Sequence, residues 1–494
     1  METITSIKPL LATLTPLLCI FLIILSRRIP NLRELWTITA SLVTFLIVTS
    51  MVNALSGGKV IVCRLIEVYP GIDIAFKVDA FGLFFALLSS FLWIVVSFYS
   101  IGYMRSLNEH SQTRYYAFFA VAISSALGVA FSSNLFTLYL FYEILTVCTY
   151  PLVTHNQNNE ARSSGRMYLG YLLGTSVFFF LPAILFTYFY AGTLDFSTHG
   201  ILNGKASNGM IAFLFLLFLF GISKAAIMPF NGWLPRAMVA PTPVSALLHA
   251  VAVVKAGVFC QLRVYFNIFG VELLHNQNLD IFLIYFVSIT ILLGSLFALK
   301  QDDIKAMLAY STISQLSYII LAAGLSSYQG MLGGIVHIVM HGFGKITLFM
   351  CAGSILCAAH IKKISQLGGI GRRMPITMLA FLFGALSVAG IPPFGGFMSK
   401  WFLALGSIEA HQWPILVVLL TSTLLNLGYF MPVVFISFFK EDSESVKGNS
   451  DIREPSPFIV VPLAFTALVS LVIFFYPYPF IHLAEIFVKS MIGG

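Results

Sequence analysis

Charged residues are scarce in this chain of 494 residues: Asp, Glu, Lys and Arg make up 10% of it, whereas 58% of the residues are hydrophobic. Soluble domains carry about 25% charged residues, so the composition excludes a soluble fold of this length. A lipid bilayer can cover such a surface, because a spanning helix needs about 20 apolar residues. The net charge of +8 does not indicate nucleic-acid binding, since the basic residues lie in short loops and form no basic face.

Motifs for cofactors and nucleotides are also missing. The six cysteines form no CxxC pair, and most lie in apolar runs, where cysteine is usually a small hydrophobic residue. We find no ligand set for zinc, haem or an iron–sulfur cluster, no Walker or dinucleotide-binding motif and no nucleophile–base pair. The sequence therefore predicts no redox, hydrolytic, cofactor or metal centre in this chain, and it leaves open whether the chain serves an enzyme complex.

Hydropathy windows predict about fourteen membrane-spanning helices. They lie near residues 9–26, 34–54, 79–101, 114–131, 134–153, 167–190, 209–240, 243–266, 279–299, 306–324, 328–358, 375–405, 414–438 and 456–477. The spans at 209–240, 328–358 and 375–405 exceed one crossing, so a tilt, a break or a re-entrant piece is expected in each. No small-residue cleavage site follows the first apolar run, which predicts a retained helix and not a signal peptide.

The basic residues predict the orientation in the membrane, because cytoplasmic loops are rich in Lys and Arg. Of the 28 basic residues, 17 fall in loops on one side, 7, including Arg263, fall on the other side, and four lie inside spans. This bias predicts a multi-pass protein of the cell (inner) membrane with both termini on the outer face. The four buried lysines, Lys224, Lys255, Lys345 and Lys400, need a separate explanation.

Two spans contain helix-breaking residues beside a lysine. The first carries Pro229 near Lys224, and the second carries Pro392 and Pro393 near Lys400. Proline removes a helix donor and clashes with the preceding turn, and non-helical backbone at membrane depth survives only inside protein or against water. Paired broken helices point to the binding site of a transporter. The alternative is a kinked structural helix, which the adjacent lysines make less attractive.

Glu143 lies about ten residues into its span, near the membrane midplane at 1.5 Å per residue. An acid at that depth marks a functional site by default, and a structural ion pair is the alternative. Because we find no other acid in the middle of a span, Glu143 is the natural partner for Lys224. Asp79 begins a span instead, which is typical of a helix N-cap. Asp302, Asp303 and Lys305 are interpreted as a surface or subunit-contact cluster.

Histidines accompany the remaining lysines. His249 and Lys255 are six positions apart, about 240° around an ideal helix, so they share a face only where the helix widens, as in a π-bulge. His337, His341 and Lys345 follow at i, i+4 and i+8 on one helix face. Such histidines can bind zinc, but no acid ligand is nearby. A proton relay is favoured because histidine exchanges protons near neutrality, and a structural role stays open.

With these residues in place, the chain resembles the antiporter-like membrane subunits shared by Mrp cation/proton antiporters and respiratory complex I. The matching stretches are residues 141–143, 224–229, 233–235, 240–257, 303–305, 308–311, 337–341 and 390–397. Within this family, the length and the run Ala-Pro-Thr-Pro-Val-Ser-Ala-Leu-Leu-His that ends at His249 are most similar to the D-type subunit of Mrp antiporters.

The resemblance implies an all-α integral membrane fold with two inverted five-helix repeats, each containing a broken helix. It implies three helices in residues 1–113, the repeats in 114–266 and 279–438, and a loop with the last helix in 439–494. It also implies a proton path through Glu143, Lys224, Lys255 and Lys400, with His249, His337, His341 and Lys345 as relay groups and helix breaks at Pro229, Pro392 and Pro393.

The function implied is proton translocation within a multi-subunit Na⁺/H⁺ antiporter of Mrp type. Two alternatives stay open: a pumping subunit of an NADH–quinone oxidoreductase or membrane-bound hydrogenase, and the membrane subunit of an energy-coupled bicarbonate uptake complex. All three imply partner subunits, the lipid bilayer and protons, and the first adds sodium. A quinone-binding enzyme subunit is disfavoured by the absence of redox ligands.

Overall fold

The computed structural model describes residues 2–448 and 451–492 and is mainly helical. Its main helices are α1 (Lys8–Leu25), α2 (Pro30–Ser56), α3 (Ala80–Ser106), α4 (Gln112–Phe131), α5 (Leu135–Val153), α6 (Asn159–Ala191), α7 (Asn208–Gly221), α8 (Thr242–Phe269), α9 (Leu279–Leu299), α10 (Ile304–Leu325), α11 (Tyr328–Ala359), α12 (Pro375–Ala389), α13 (Gly395–Glu409), α14 (Trp413–Phe439), α15 (Pro457–Phe475) and α16 (Tyr478–Ile492). Twelve helices of the described chain are long and apolar enough to cross a membrane. With the two broken spans, α7 and α12–α13, the fold agrees with the prediction of about fourteen.

Two features were not predicted. A three-stranded sheet is formed by β1 (Glu2–Thr5), β2 (Lys59–Tyr69) and β3 (Ile72–Val78), with β2 between a parallel and an antiparallel neighbour. Hydropathy windows do not detect these segments, because a strand of this length gives a much weaker signal than a spanning helix. The second feature is α16, an additional helix that follows the last predicted span.

The sheet and both ends of the described chain lie on one face of the helix bundle. Strand β3 pairs with Ser132 through Phe76, and Asn267, at the end of α8, donates to Met491 of α16. A chain that crosses the membrane an even number of times has both ends on the same side, as is observed here. That this face is the outer one remains a prediction from the basic residues.

The same face contains a buried ion pair that corrects one expectation. The loop count places Arg263 in an outer loop, but it lies inside α8 with 1% of its side chain exposed, and its guanidinium donates to both Asp79 oxygens at 2.5 and 2.8 Å. Asp79 is also the predicted N-cap, accepting from the Gly82 N–H at 2.8 Å. Burial alone would raise the pKa of Asp79, but the Arg263 charge and these hydrogen bonds outweigh it and hold that pKa below its usual value.

The backbone is interrupted in both proline-containing spans. After α7 the chain forms a short 3₁₀ turn at Ser223–Ala225 and a cis Met228–Pro229 bond. Helix α12 ends at Ala389, and a cis Pro392–Pro393 bond precedes α13. Residues 221–227 at the first interruption are buried, whereas Pro229, Pro392 and Pro393 are exposed on the surface of the described chain.

Helix α8 is fully buried along its apolar window, and one glycine sets its distance from the first break. A Cβ on Gly257 would lie 2.3 Å from the Ala225 nitrogen and 2.4 Å from the Lys224 carbonyl carbon. Because both are backbone atoms, neither can move away without shifting the broken segment. Gly257 therefore fixes the position of Lys224 against α8.

We expect Gly257→Ala to destabilise the protein by about 1–3 kcal/mol, the usual cost of overpacking a core. The matched control is Gly170→Ala on α6, where an added Cβ meets nothing within 4 Å and alanine is the better helix former. Thermal unfolding of the purified variants in lipid nanodiscs measures the difference. Equal melting temperatures for the two variants would show that α8 does not hold the break in place.

Candidate functional site

Helices α5 and α6 position the carboxylate of Glu143. The hydroxyl of Ser176 donates to Glu143 Oε1, while Oε2 is buried and has no hydrogen-bond partner within the described chain. Ser176 begins a π-helical turn, Ser176–Phe180, inside α6. Such turns are frequent at functional sites. Ser176 was not predicted, because a serine in an apolar span carries no distinguishing pattern.

Lys224 is completely buried at the first helix break and points toward α5. Its Nζ donates to the Tyr142 carbonyl oxygen at 2.8 Å and to the Thr146 hydroxyl at 2.5 Å, and it lies 3.1 Å from the centre of the Tyr142 ring. Over the residues that the structure describes, no direct ion pair joins Lys224 to Glu143. The Glu143 carboxylate, one residue from Tyr142, still acts electrostatically on Lys224. The expected partners are therefore neighbours that do not touch.

Helix α8 widens between His249 and Lys255. The segment Leu247–Val251 is π-helical, and as a result both side chains face α11. The His249 ring packs 4.6 Å from the Phe349 ring, with neither ring nitrogen hydrogen-bonded in the described structure. Lys255 Nζ lies 2.7 Å from His341 Nδ1. On an ideal helix His249 and Lys255 would lie about 240° apart. The π-helical turn widens the helix and lets them share a face.

A continuous series of contacts then leads along α11 to the second break. His341 stacks on His337 with ring centres 5.8 Å apart, and His337 Nδ1 lies 2.8 Å from the hydroxyl of Ser399. Ser399 is the neighbour of Lys400 on α13. Every member of this series is buried. The structure thus connects Lys255 to the residue beside Lys400.

Both ring nitrogens of His337, and Nδ1 of His341, lie within hydrogen-bond distance of protein groups. His337 Nε2 contacts Gln315 Oε1 at 3.1 Å, in addition to Ser399 at Nδ1, and His341 uses Nδ1 for Lys255. These contacts favour the relay interpretation of the HxxxH spacing over a zinc site, which needs free nitrogens converging on one point. Lys345, one turn further, turns away and donates to the Leu308 carbonyl oxygen at 3.1 Å.

Lys400 lies where α12 ends. Its Nζ donates to the carbonyl oxygen of Ala389, the last residue of α12, at 2.8 Å, and lies 4.9 Å from the Tyr318 ring centre. A helix C-terminus carries partial negative charge that favours an ammonium group. Lys400 does not snorkel to an interface, since 7% of its surface is exposed. Lys224 lies within the first break and contacts α5, whereas Lys400 lies on the helix after the second break and contacts the end of α12.

This arrangement can transfer protons between neighbours. At 2.7 Å, Lys255 and His341 share one hydrogen bond, so either nitrogen can hold the proton while the other accepts. A charge on one group raises the cost of charging the next in a low-dielectric interior. Sequence reasoning missed Thr146, Ser176, Gln315 and Ser399, the uncharged residues that hold the charged ones. Hydroxyls are common in membrane helices, so no signal distinguished them.

Comparisons with known proteins agree with the fold. The family described as NADH:quinone oxidoreductase/Mrp antiporter, transmembrane, matches residues 132–428. The chain is 32% identical to NAD(P)H-quinone oxidoreductase subunit 5 of Chara vulgaris chloroplasts, over 85% of this chain and 65% of the relative. It is also 32% identical to NADH-quinone oxidoreductase subunit N of Desulforudis audaxviator, over 75% of this chain and 73% of the relative. The chain spans about half to two thirds of the subunit 5 relatives.

Two solved structures share the whole fold. A chain of the Mrp complex from Dietzia sp. DQ12-45-1b superposes with a TM-score of 0.87 at 21% identity, covering 98% of both chains. A chain of the membrane-bound sulfane sulfur reductase, an archaeal respiratory membrane complex, gives 0.87 at 26% identity over 99% of this chain and 98% of the other. The fold and the buried lysines define a multi-pass membrane subunit. This chain belongs to the NADH:quinone oxidoreductase/Mrp antiporter transmembrane family.

Proposed function

We propose that this chain is the proton-translocating subunit of a multi-subunit membrane complex. The supporting observation is the buried series from Lys255 through His341 and His337 to Ser399, beside Lys400. A buried charge is costly unless it has partners, and within the described chain the hydrogen-bond partners of Lys224, Lys255 and Lys400 are carbonyl, hydroxyl or imidazole groups. Such groups stabilise a proton without trapping it in a permanent ion pair.

Glu143 and Lys224 act as the control pair of the first half. When the carboxylate is charged, it stabilises the Lys224 ammonium, and when it gains a proton, Lys224 is free to pass its own proton toward Lys255. His249, on the same helix as Lys255, provides a second entry point for protons. Lys400 receives the proton at the far break and releases it on the other side of the membrane.

The complex we favour is an Mrp-type Na⁺/H⁺ antiporter, with this chain in the place of its D-type subunit. The run that ends at His249 supports this assignment. Sodium would move in the opposite direction, in this chain or in a partner subunit. A redox complex is the second candidate, supported by the relatives named as NAD(P)H-quinone and NADH-quinone oxidoreductase subunits at 30–34% identity.

Driving forces distinguish the two candidates. Everted membrane vesicles that contain this chain and all its partner subunits are loaded with a fluorescent pH probe, and either NaCl or an electron donor with quinone is added. For the antiporter, we expect sodium to move protons when electron transfer is blocked. Proton movement with the electron donor alone contradicts the antiporter assignment and supports the redox one. If neither sodium nor the electron donor causes proton movement, the result contradicts the proposed function.

A further inference from the structure

Outside the lysine series, one cluster of metal-ligating side chains lies on the face predicted to be cytoplasmic. Glu109 and His110 belong to the loop between α3 and α4, and His155 follows α5. One ligand atom from each comes within 4.8 Å of the other two. Glu109 Oε2 lies 3.6 Å from His155 Nε2 and 3.8 Å from His110 Nδ1. The two imidazole rings are 4.7 Å apart.

His155 gives an independent indication of a ligand. Its side chain is 0% exposed, and neither ring nitrogen has a hydrogen-bond partner in the part of the chain that the structure describes. A buried polar group without a partner is costly, so this ring needs an additional partner. Arg114 holds the backbone at this residue, since its guanidinium donates to the His155 carbonyl oxygen at 3.0 Å.

The spacing fits a small tetrahedral cation. Zinc binds histidine nitrogen and carboxylate oxygen at about 2.0–2.2 Å, so two neighbouring ligand atoms lie roughly 3.4 Å apart. The two distances to Glu109, 3.6 and 3.8 Å, are close to this separation, and the ligand atoms of the two histidines, within 4.8 Å of each other, would move closer when an ion binds. The His110 side chain is 49% exposed, so it can adjust and a fourth position can hold water. Two histidines and one glutamate form a common open zinc site.

We propose that Glu109, His110 and His155 bind a divalent transition metal such as zinc, and that the bound ion inhibits proton entry. The inhibition rests on the proposed function, whereas the binding does not. Glu109 lines a cavity of about 1090 Å³ that also contains Asp303 and Lys305.

The position of the site explains why the ion inhibits. The cavity that Glu109 lines is also lined by Lys305 and by Ala240 and Pro241, just before α8, the helix that carries His249. Lys305 is partly buried, and its ammonium group donates to the Ala240 carbonyl oxygen at 2.6 Å. A bound dication neutralises Glu109 and adds positive charge at the mouth of the cavity, which repels an incoming proton.

Zinc binding is tested on the purified complex in nanodiscs, stripped with EDTA and dialysed against buffered Zn²⁺. Zinc per chain is measured by mass spectrometry, and Co²⁺ substitution reports the coordination by visible absorption. We expect one zinc per chain. Glu109→Gln or His110→Ala should weaken the zinc affinity by at least about 10–100-fold, because even the loss of a group that only supports a ligand has effects of that size. The matched control is Glu160→Gln, an acid of the same cavity, which should leave the affinity unchanged.

Equal weakening by Glu160→Gln and Glu109→Gln would indicate diffuse attraction of cations and would overturn the site. Unchanged affinity in both Glu109→Gln and His110→Ala would overturn it as well. For the inhibition, micromolar zinc should slow proton flux in wild-type vesicles but not in His110→Ala vesicles, the flux with zinc being compared in each case with the zinc-free flux of the same vesicles. Zinc that binds without slowing the flux contradicts the inhibitory role while the binding result stands.

Discussion

Replacing Glu143 by Gln, or Lys224 by Ala, is expected to reduce proton flux in everted vesicles by about 100-fold or more. Loss of a positioned proton-transfer group typically has effects of about 10²–10⁴-fold. Glu143→Gln keeps the hydrogen bond from Ser176 but removes the charge that acts on Lys224. Lys224→Ala removes the proton carrier together with its hydrogen bonds to the Thr146 hydroxyl and the Tyr142 carbonyl oxygen.

The double variant shows whether the two residues act together. If Glu143 only controls Lys224, then Glu143→Gln combined with Lys224→Ala loses no more flux than the worse single variant, because coupled residues are not additive. Independent roles would multiply the two losses. The matched controls are Lys205→Ala and Glu272→Gln, exposed residues of the same types, and immunoblots verify that all subunits assemble. Wild-type flux in both single variants would show that these residues are structural.

The membrane fold and the charged members of the site could be predicted from the sequence because both produce sequence patterns that are rare in other contexts. Apolar runs of about 20 residues are uncommon outside membrane spans, and a lysine inside such a run is rare enough to be a functional candidate. The proline and glycine pairs beside Lys224 and Lys400 located the helix breaks for the same reason. Asp79 was predicted to be an N-cap from its position alone, and its side chain does accept from Gly82.

The contacts that organise the site could not be predicted, because they depend on distances between helices. The sequence showed that Lys255 and His341 lie on different spans, but not that α8 and α11 bring them within 2.7 Å. The prediction of a loop position for Arg263 was wrong because it rested on nearness to a span end, and its partner Asp79 is 184 positions away in sequence. Strand β1 was missed because it pairs with the distant strand β2, whereas β2 and β3 form a local hairpin that hydropathy windows do not detect.

His341 connects the two halves of the path. We therefore expect loss of His341 to reduce proton flux as strongly as loss of Lys224. Replacement by Leu removes the ring that links Lys255 to His337, and flux should fall by about 100-fold or more. Because leucine fills much of the same buried space, the helix bundle should still assemble. Flux in vesicles with matched subunit amounts measures the effect, and His199→Gln in an exposed loop is the control for histidine replacement.

His341→Gln separates proton transfer from hydrogen bonding. The glutamine carbonyl can accept from Lys255 as His341 Nδ1 does, but an amide does not take up and release protons in the physiological range, whereas imidazole does. If His341 carries the proton, Gln is as defective as Leu. If His341 only anchors Lys255, Gln restores the flux that Leu loses, and the path from Lys255 to Lys400 must then bypass the histidine pair.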